Sequence, residues 1–475
     1  MLKFYKNLEE DNLNALQLRE YVNQWKCSEE YTRLEKMEAY YKTKNTAIMN
    51  RVLENSDINN KVATGYAKYI TTVVNGYMFG SKDCISYVFN NDNEEFERIL
   101  KYNDSVSVDK NIGQLASIYG YGIEQYYIDD NEEFRFKDID PKNVIIFFDD
   151  TIEENITEAI KYREYEFIDE KGLTRNKLII EYYTMDNIYE YTFIDNAVIA
   201  EESIDYPNIF GDIPFTIYEN PDLMGDFENV ITLIDSIDKA MADNSNTFEY
   251  YNDAYIIFKN CDLPLGAEGE DDPGIMLKTS KGFQIPNADG EIYFLEKPKI
   301  SADSIQYSKE LEDKLFKFSM VPDLTSPEYL QAQSGTAMRL KLTGLEFVAC
   351  NKEALFRKGL FRRLEIMSNI KNISTESKID FTDIEIIFKR NTVESLSEVV
   401  DTAMKLKSIV STETLLDMIP YCDKDEELER LKKEKEENMM MFNMQNNVNS
   451  FFNENDNENK DEEDNEEVAD NNEKE

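Results

Sequence analysis

SGTAMRLKLTGLEFVACNKEALFRKGLFRRLEIMSNIK, Ser334 to Lys371, decides how the rest of the chain is read. At a helical step Met338, Leu342, Leu345, Ala349, Phe356, Leu360 and Met367 fall on one narrow stripe. Leu340, Phe347 and Phe361 form a second apolar stripe, which predicts burial on two sides. No proline interrupts the run, so at ~1.5 Å per residue the helix is expected to be roughly 55 Å long. Globular helices average only ~10–14 residues. Val321-Pro322-Asp323-Leu324-Thr325-Ser326-Pro327 and Gln331-Ala332-Gln333-Ser334-Gly335-Thr336 precede it. Two prolines stop the previous helix there, and the Gln/Ser/Gly run reads as an exposed, mobile loop. A loop leading into a very long two-sided helix suggests a strut inside an assembly.

The chain has 475 residues, enough for more than one domain, and 41% of them are hydrophobic, which supports a real core. Its formal net charge is -44. A sequence-reading nucleic-acid binder carries a basic face, so this balance argues against one and suits a body that must not adhere to polyanions. Histidine is absent, which removes Ser-His-Asp and Cys-His chemistry and His metal sites together. Cys27, Cys84, Cys261, Cys350 and Cys422 are far apart and read as free thiols in a reducing compartment. Met1 to Glu10 lacks the apolar region of a signal peptide. No apolar run approaches the ~18 residues of a membrane span.

Outward from the long helix, the pattern divides the chain. Residues 9 to 55 read as helices, as do Lys61 to Gly80, with Ala63, Ala67, Ile70 and Val74 in register, and 94 to 119. From Gly120 to Tyr218 the period shifts towards two, predicting an antiparallel meander. Asp149-Asp150 and Glu153-Glu154 sit at a turn within it; they are either oxygen ligands for a divalent ion or, as charge runs usually are, a solvated loop. A second helix carries Phe227, Val230, Ile231, Ile234, Ile237, Met241 and Phe248 on one stripe, with Asp226 as its N-cap. Strands around Ile256, Ile275 to Lys278 and Glu291 to Leu295 follow, before a helix with Ile305, Leu311, Leu315 and Phe318. That is a small strand module between two helices, a knob on a stalk. Ile384 to Phe388 is a strand, Ser395 with Glu398 a capping box, and Asp423 to Met444 a charged helix. Residues 453 to 475 hold twelve acids against two lysines, a net of −10, and read as a disordered, solubilising tail or a partner-binding one.

The long helix departs from this charge balance. Arg339, Lys341, Lys352, Arg357, Lys358, Arg362, Arg363 and Lys371 stand against Glu346, Glu353 and Glu365, a local net of +5. Lys341, Lys352 and Arg363 are eleven residues apart and share a face. The basics either pair with acidic neighbours, as such stripes in acidic chains mostly do, or meet DNA phosphates.

The order and spacing of several stretches resemble the portal proteins of tailed double-stranded-DNA bacteriophages, in the branch of long-tailed phages of Gram-positive hosts. They are Lys61 to Gly80, Gly120 to Asp130, Asn220-Pro221 through Asp238, Val321 to Leu324, Ser334 to Met338, Phe388 to Asn391, Val410 to Leu416 and Asp425 to Arg430. None is a catalytic motif; together they span roughly the first 440 residues, without the acidic tail. The resemblance implies an α+β portal fold assembled as a ring, a dodecamer. The implied parts are a mixed wing at 1–225, a stem helix at 226–251, a small β-rich clip at 252–302 and a second stem helix at 303–320. A tunnel loop at 321–336, the long helix at 337–372, a wing strand at 373–393, a helical crown at 394–445 and the acidic tail at 446–475 follow. It implies a channel at the unique capsid vertex, through which the large terminase subunit packages DNA without reading its sequence. Head-completion or connector protein, major capsid protein and scaffolding protein are the other implied partners, with no membrane and no cofactor. The protein is then made in the bacterial host cytoplasm and ends in the virion.

Under that resemblance Gln331, Gln333, Ser334, Gly335 and Thr336 line the channel, with Gly335 as hinge and Arg339 and Lys341 guiding DNA. Glu268, Glu270, Asp271 and Asp272 of the clip face terminase or connector. Two other classes remain to be weighed: a metal-dependent nuclease or hydrolase using carboxylates alone, and a scaffold or adaptor that forms no ring. An NTPase is disfavoured, because no GxxxxGK[ST] loop exists.

Overall fold

The computed structural model describes residues 4–5, 12–53, 58–89, 94–195, 197–252, 256–260, 289–294, 302–330, 335–374, 381–391, 396–407, 409–417, 419 and 426–440. The chain divides into two units, Met1–Thr392 and Val393–Glu475.

The first unit starts with amphipathic helices whose ends are written in the sequence. Asn14 caps Ala15–Lys26 in a reciprocal box with Gln17, and Ser28 caps Glu29–Tyr41 by accepting from the Tyr31 amide. Leu18, Val22, Trp25, Leu34, Met37 and Tyr40 are their buried positions. The next long helix is Tyr66–Phe79, so Ala63 lies ahead of it. Residues 94 to 119 form two helices, Glu94–Tyr102 and Ser105–Tyr119, because Asp104 takes a left-handed backbone with φ of 47° between them.

The stretch after Gly120 is two sheets where one meander was expected. A three-stranded antiparallel sheet runs Phe215–Glu219, Tyr121–Ile128, Phe134–Ile139. A six-stranded sheet has Val144–Phe148, Ile156–Ile168, Thr174–Tyr183, Asn187–Ile194 and Ala197–Pro207 in antiparallel sequence. The short strand Phe4–Tyr5 adds to its Val144–Phe148 edge in parallel. The division has a visible cause: Val144–Phe148 is buried at every position, so it is covered on both faces and cannot show the alternation of a one-sided strand. Ile384–Phe388 pairs with Ile85–Phe89, nearly three hundred residues earlier.

Ile231–Asn252 and Ala302–Ser319 pack on each other. Phe227, Val230, Ile234, Ile237, Leu311 and Leu315 are buried as the stripes predicted, but Met241, Phe248, Ile305 and Phe318 are exposed. Ile256–Lys259 pairs antiparallel with Glu291–Phe294. The expected strand at Ile275 to Lys278 lies outside the described residues.

The long helix is interrupted. Gly335–Lys341 and Thr343–Ser374 are separate segments meeting at Leu342, and the 32-residue second segment carries the packing. Leu345, Ala349, Phe356, Leu360 and Met367 of the first stripe are buried. The second stripe is not: Leu340 is 72% and Phe347 61% exposed, and Phe361 is half-buried. The second unit holds Leu396–Leu406, Thr412–Asp417 and a helix over 426–440. Ser411 caps Thr412–Asp417 by accepting from the Thr414 amide. The proposed capping role of Ser395 and the acidic tail lie outside the described residues.

Candidate functional site

The helix Thr343–Ser374 passes through the core, and its side chains join elements far apart in sequence. Phe356 is the apolar centre. Its ring lies 4.9 Å from Phe79, 4.6 Å from Tyr218 and 6.4 Å from Phe388, centroid to centroid. Close approach one turn later requires a glycine, since a Cβ on Gly359 would stand 2.5 Å from the Tyr218 ring.

The basic residues of this helix divide into two groups. Lys352 is buried and places Nζ 2.8 Å from both carboxylate oxygens of Asp226 and 2.6 Å from Ser117 Oγ. Asp226 was expected to cap the helix that follows; its carboxylate is occupied by Lys352 and by Asn220 Nδ2 instead. That helix opens with a turn at Glu228–Val230 that has no side-chain cap. Burial lowers the Lys352 pKa, and Asp226 works against that shift. Arg363 is fully buried, with Nη2 2.6 Å from Asp109 Oδ1 and Nε 3.0 Å from Glu124 Oε2. Its guanidinium stands 4.5 Å from the Phe136 ring centroid. Tyr126 and Tyr218 donate to the same Glu124 oxygen. Burial opposes the charge on Arg363, but Asp109 and Glu124 outweigh it and raise its pKa. Burial pushes the Asp109 carboxyl up to about 6, although Arg363 pulls it down.

Arg362 donates to the Phe215 carbonyl and pairs with Asp212 at 3.1 Å. Arg357 pairs with Glu353 at 2.7 Å and donates to the Ile386 carbonyl. Arg390, just after the strand Ile384–Phe388, reaches Glu346 at 3.2 Å and Glu353 at 2.7 Å. Thus Lys352, Arg357, Arg362 and Arg363 are internal ties, and the DNA-contact reading fails for them. The eleven-residue repeat is not one face: Lys352 and Arg363 point into protein, whereas Lys341, on the short helix before the break at Leu342, is exposed. Arg339, Lys341 and Lys358 are exposed.

The segment ahead of the helix is held at its start. Val321 is buried. Tyr69 OH donates to the Pro322 carbonyl and accepts from the Leu324 amide, both at 2.9 Å. Asp323 accepts from the amide and hydroxyl of Thr325, and Pro327 opens a helical turn, Pro327–Leu330. Residues 321 to 330 are therefore a knitted turn; the exposed, mobile loop was expected at the Gln/Ser/Gly run that follows. Tyr69 gave no signal in the sequence beyond its place in a helix. Gln331, Gln333 and Ser334 lie outside the described residues. Gly335 and Thr336 begin the helix Gly335–Lys341, a position that needs no left-handed glycine. Lys341 Nζ lies 6.0 Å from the Tyr329 ring centroid.

The helix Ile231–Asn252 is strapped by the N-terminal part of the chain. Buried Asp238 accepts from the Thr64 amide at 2.8 Å, from the Thr64 hydroxyl at 2.6 Å and from Asn45 Nδ2. Tyr40 donates to Asp235, and Arg51 pairs with Asp243. Past this point Phe248 is exposed, and Lys259 pairs with Glu291 across the small sheet. Glu268, Glu270, Asp271 and Asp272 lie outside the described residues. Asp149 is the turn's own acceptor, taking hydrogen bonds from Thr151 and Asn155. Among the described residues no group of three acidic or cysteine side chains is placed to hold a metal ion, and no helix is long and apolar enough to cross a membrane.

The joints described above fall inside a region shared with known proteins. Residues 25–440 match the family described as phage portal protein, SPP1 Gp6-like. The chain is also 21% identical, over 421 residues, to a protein named portal protein from Clostridium phage phiCD119. That match covers 83% of this chain and 90% of the relative. With a family match over most of its length, a mixed helix-and-sheet body and a helical pair leading to a small sheet, the chain belongs to the phage portal protein family.

Proposed function

We propose that this portal protein assembles as a ring of identical subunits, a dodecamer, around a channel for double-stranded DNA at one capsid vertex. The observation that supports it best is the family match across residues 25–440. The stalk-and-sheet arrangement of Ile231–Asn252, Ala302–Ser319 and the strands Ile256–Lys259 and Glu291–Phe294 agrees with it. In this reading these helices are the stem and the segment 252–302 is the clip. The acidic run Glu268, Glu270, Asp271 and Asp272 is the surface met by the large terminase subunit and later by a connector. Residues 321–336 face the channel, and Arg339 and Lys341 lie beside it. Major capsid and scaffolding proteins meet the outer wing. The protein performs no chemistry of its own: it lets a polyanion pass because a mostly acidic wall repels it across a poorly screened gap. It is made in the host cytoplasm and incorporated into the virion.

Negative-stain microscopy of the purified chain tests the assembly. Rings with a central hole are the expected result, and particles without a hole, at any protein concentration or salt, overturn it.

A further inference from the structure

The helix Thr343–Ser374 and the short helix Gly335–Lys341 ahead of it carry a run of exposed residues. Between Arg339 and Lys358 the exposed residues are Arg339, Leu340, Lys341, Thr343, Phe347, Cys350, Asn351, Ala354 and Lys358. Three are basic and none is acidic, in a chain with 96 acids against 52 bases. The acids of this span are paired: Glu346, its side chain 37% exposed, and Glu353 are engaged by Arg390, and Glu353 also by Arg357. Phe347, Ala354 and Lys358 recur at helical spacing on one side of Thr343–Ser374, about 17 Å long at ~1.5 Å per residue, and Leu340 stands ahead of them on the short helix Gly335–Lys341. Met320, 52% exposed, adds to this strip, because its backbone carbonyl passes 3.1 Å from the place a Cβ on Gly344 would occupy.

We infer that this strip, Leu340, Phe347 and Lys358 with Met320, is one half of a subunit–subunit contact and docks on an acidic face of a second copy of this chain. The inference rests on the ring reading above and names the surface that such a ring uses. Charge complementarity selects the occupant. A second copy brings a net charge of -44, and the acids within this span, Glu346 and Glu353, are already paired with Arg390 and Arg357. The two apolar side chains explain why the partner is protein. A Leu and a Phe exposed by more than half gain nothing from duplex phosphates, and an aromatic ring stacks on bases only where they are unpaired. The contact is head-to-tail: a basic, apolar strip cannot meet its own like, so it meets a different surface of the next subunit, the geometry that closes rings.

The test uses the full-length chain with a photoreactive benzoylphenylalanine at position 347, irradiated at physiological salt with and without double-stranded DNA. Covalent dimers, whose cross-linked peptide is acidic and comes from a second copy, support the inference. Products joined only within one chain, to residues 393–475 included, overturn it, as do products joined only to DNA. Leu340→Glu with Phe347→Glu is the second arm. Both side chains are exposed, so an unchanged circular dichroism spectrum is expected, while the concentration for half-assembly rises about a hundredfold, from two lost apolar burials. Lys358→Glu is expected to raise it about tenfold and to remove part of its salt dependence. Wild-type rings matched by equal rings of all three substitutions sink the strip alone. A wild type that forms no ring sinks the ring reading itself.

Discussion

Two stretches, the middle of Thr343–Ser374 and the short helix Gly335–Lys341 with the start of Thr343–Ser374, use the same residue types oppositely. Around Lys352 and Arg363 the cations are buried against Asp226, Asp109 and Glu124. Around Leu340 and Phe347 the cations Arg339 and Lys341 and the large apolar side chains are exposed. The first stretch fixes the helix to Ser105–Tyr119 and Tyr121–Ile128, through Asp109 and Glu124, and to Asp226 ahead of Ile231–Asn252. The second remains as surface. A row of lysines and arginines is therefore not by itself a footprint for DNA. Burial separates the two uses, because a desolvated charge must be paired where it stands, whereas an exposed one is screened and interchangeable.

The sharpest way to break this contrast is Arg363→Met, which leaves Asp109 and Glu124 buried without their cation. Removing one partner of a buried pair costs about 3–5 kcal/mol, and the upper end is expected here because two carboxylates are stranded. Urea unfolding at matched protein concentration reads it; a loss below about 1 kcal/mol would mean the cluster is hydrated and the contrast false. Lys352→Met should cost somewhat less, about 3 kcal/mol, since Asp226 keeps Asn220 Nδ2. Adding Asp226→Leu should recover most of that loss, because an apolar pair needs no compensation. If the double substitution is as unstable as the single, the loss lies in packing at the start of Ile231–Asn252.

A pH series sharpens the comparison further. The folded-state pKa of Asp109, about 6, lies above the ~3.9 of an unfolded aspartate. Between these values the folded chain holds the proton more tightly. Its contribution to stability is thus fully favourable below about pH 4, falls as pH rises and levels off above about pH 6. Relative to Asp109→Asn, the wild type should lose about 2–3 kcal/mol across that window. Parallel stability curves for the two proteins would show that Arg363 holds the carboxylate ionised throughout. The smallest effect belongs to the exposed stretch. Leu340→Ala and Phe347→Ala should each change subunit stability by less than about 0.5 kcal/mol, as read by thermal unfolding under conditions where the wild type is monomeric. A loss of 2 kcal/mol or more, the size of a core truncation, would place these side chains in the core and remove the contrast.

Much of the architecture was legible before any coordinates, for identifiable reasons. The first stripe of the long helix, the caps at Asn14 and Ser28, and the helical pair flanking the small sheet follow from local periodicity and side-chain hydrogen bonding to nearby amides. Those signals act within a few residues. The stretches that resembled portal proteins also contained several of the joints: Asp226 and Asp238 lie in one of them, and Arg390 and Asn391 in another.

What only the tertiary structure decided concerns partners distant in sequence. Composition could state that the basic residues either pair or bind DNA, but Asp226 lies 126 residues from Lys352 and Asp109 254 from Arg363. No spacing rule connects them, so a carboxylate that reads locally as a helix cap is claimed by a lysine from another element. The break at Leu342, the division of the meander into two sheets and the exposure of Leu340 and Phe347 have the same origin. Periodicity reports which residues share a side of an element. Whether that side is covered depends on what folds against it, and among the described residues of this chain nothing buries those two.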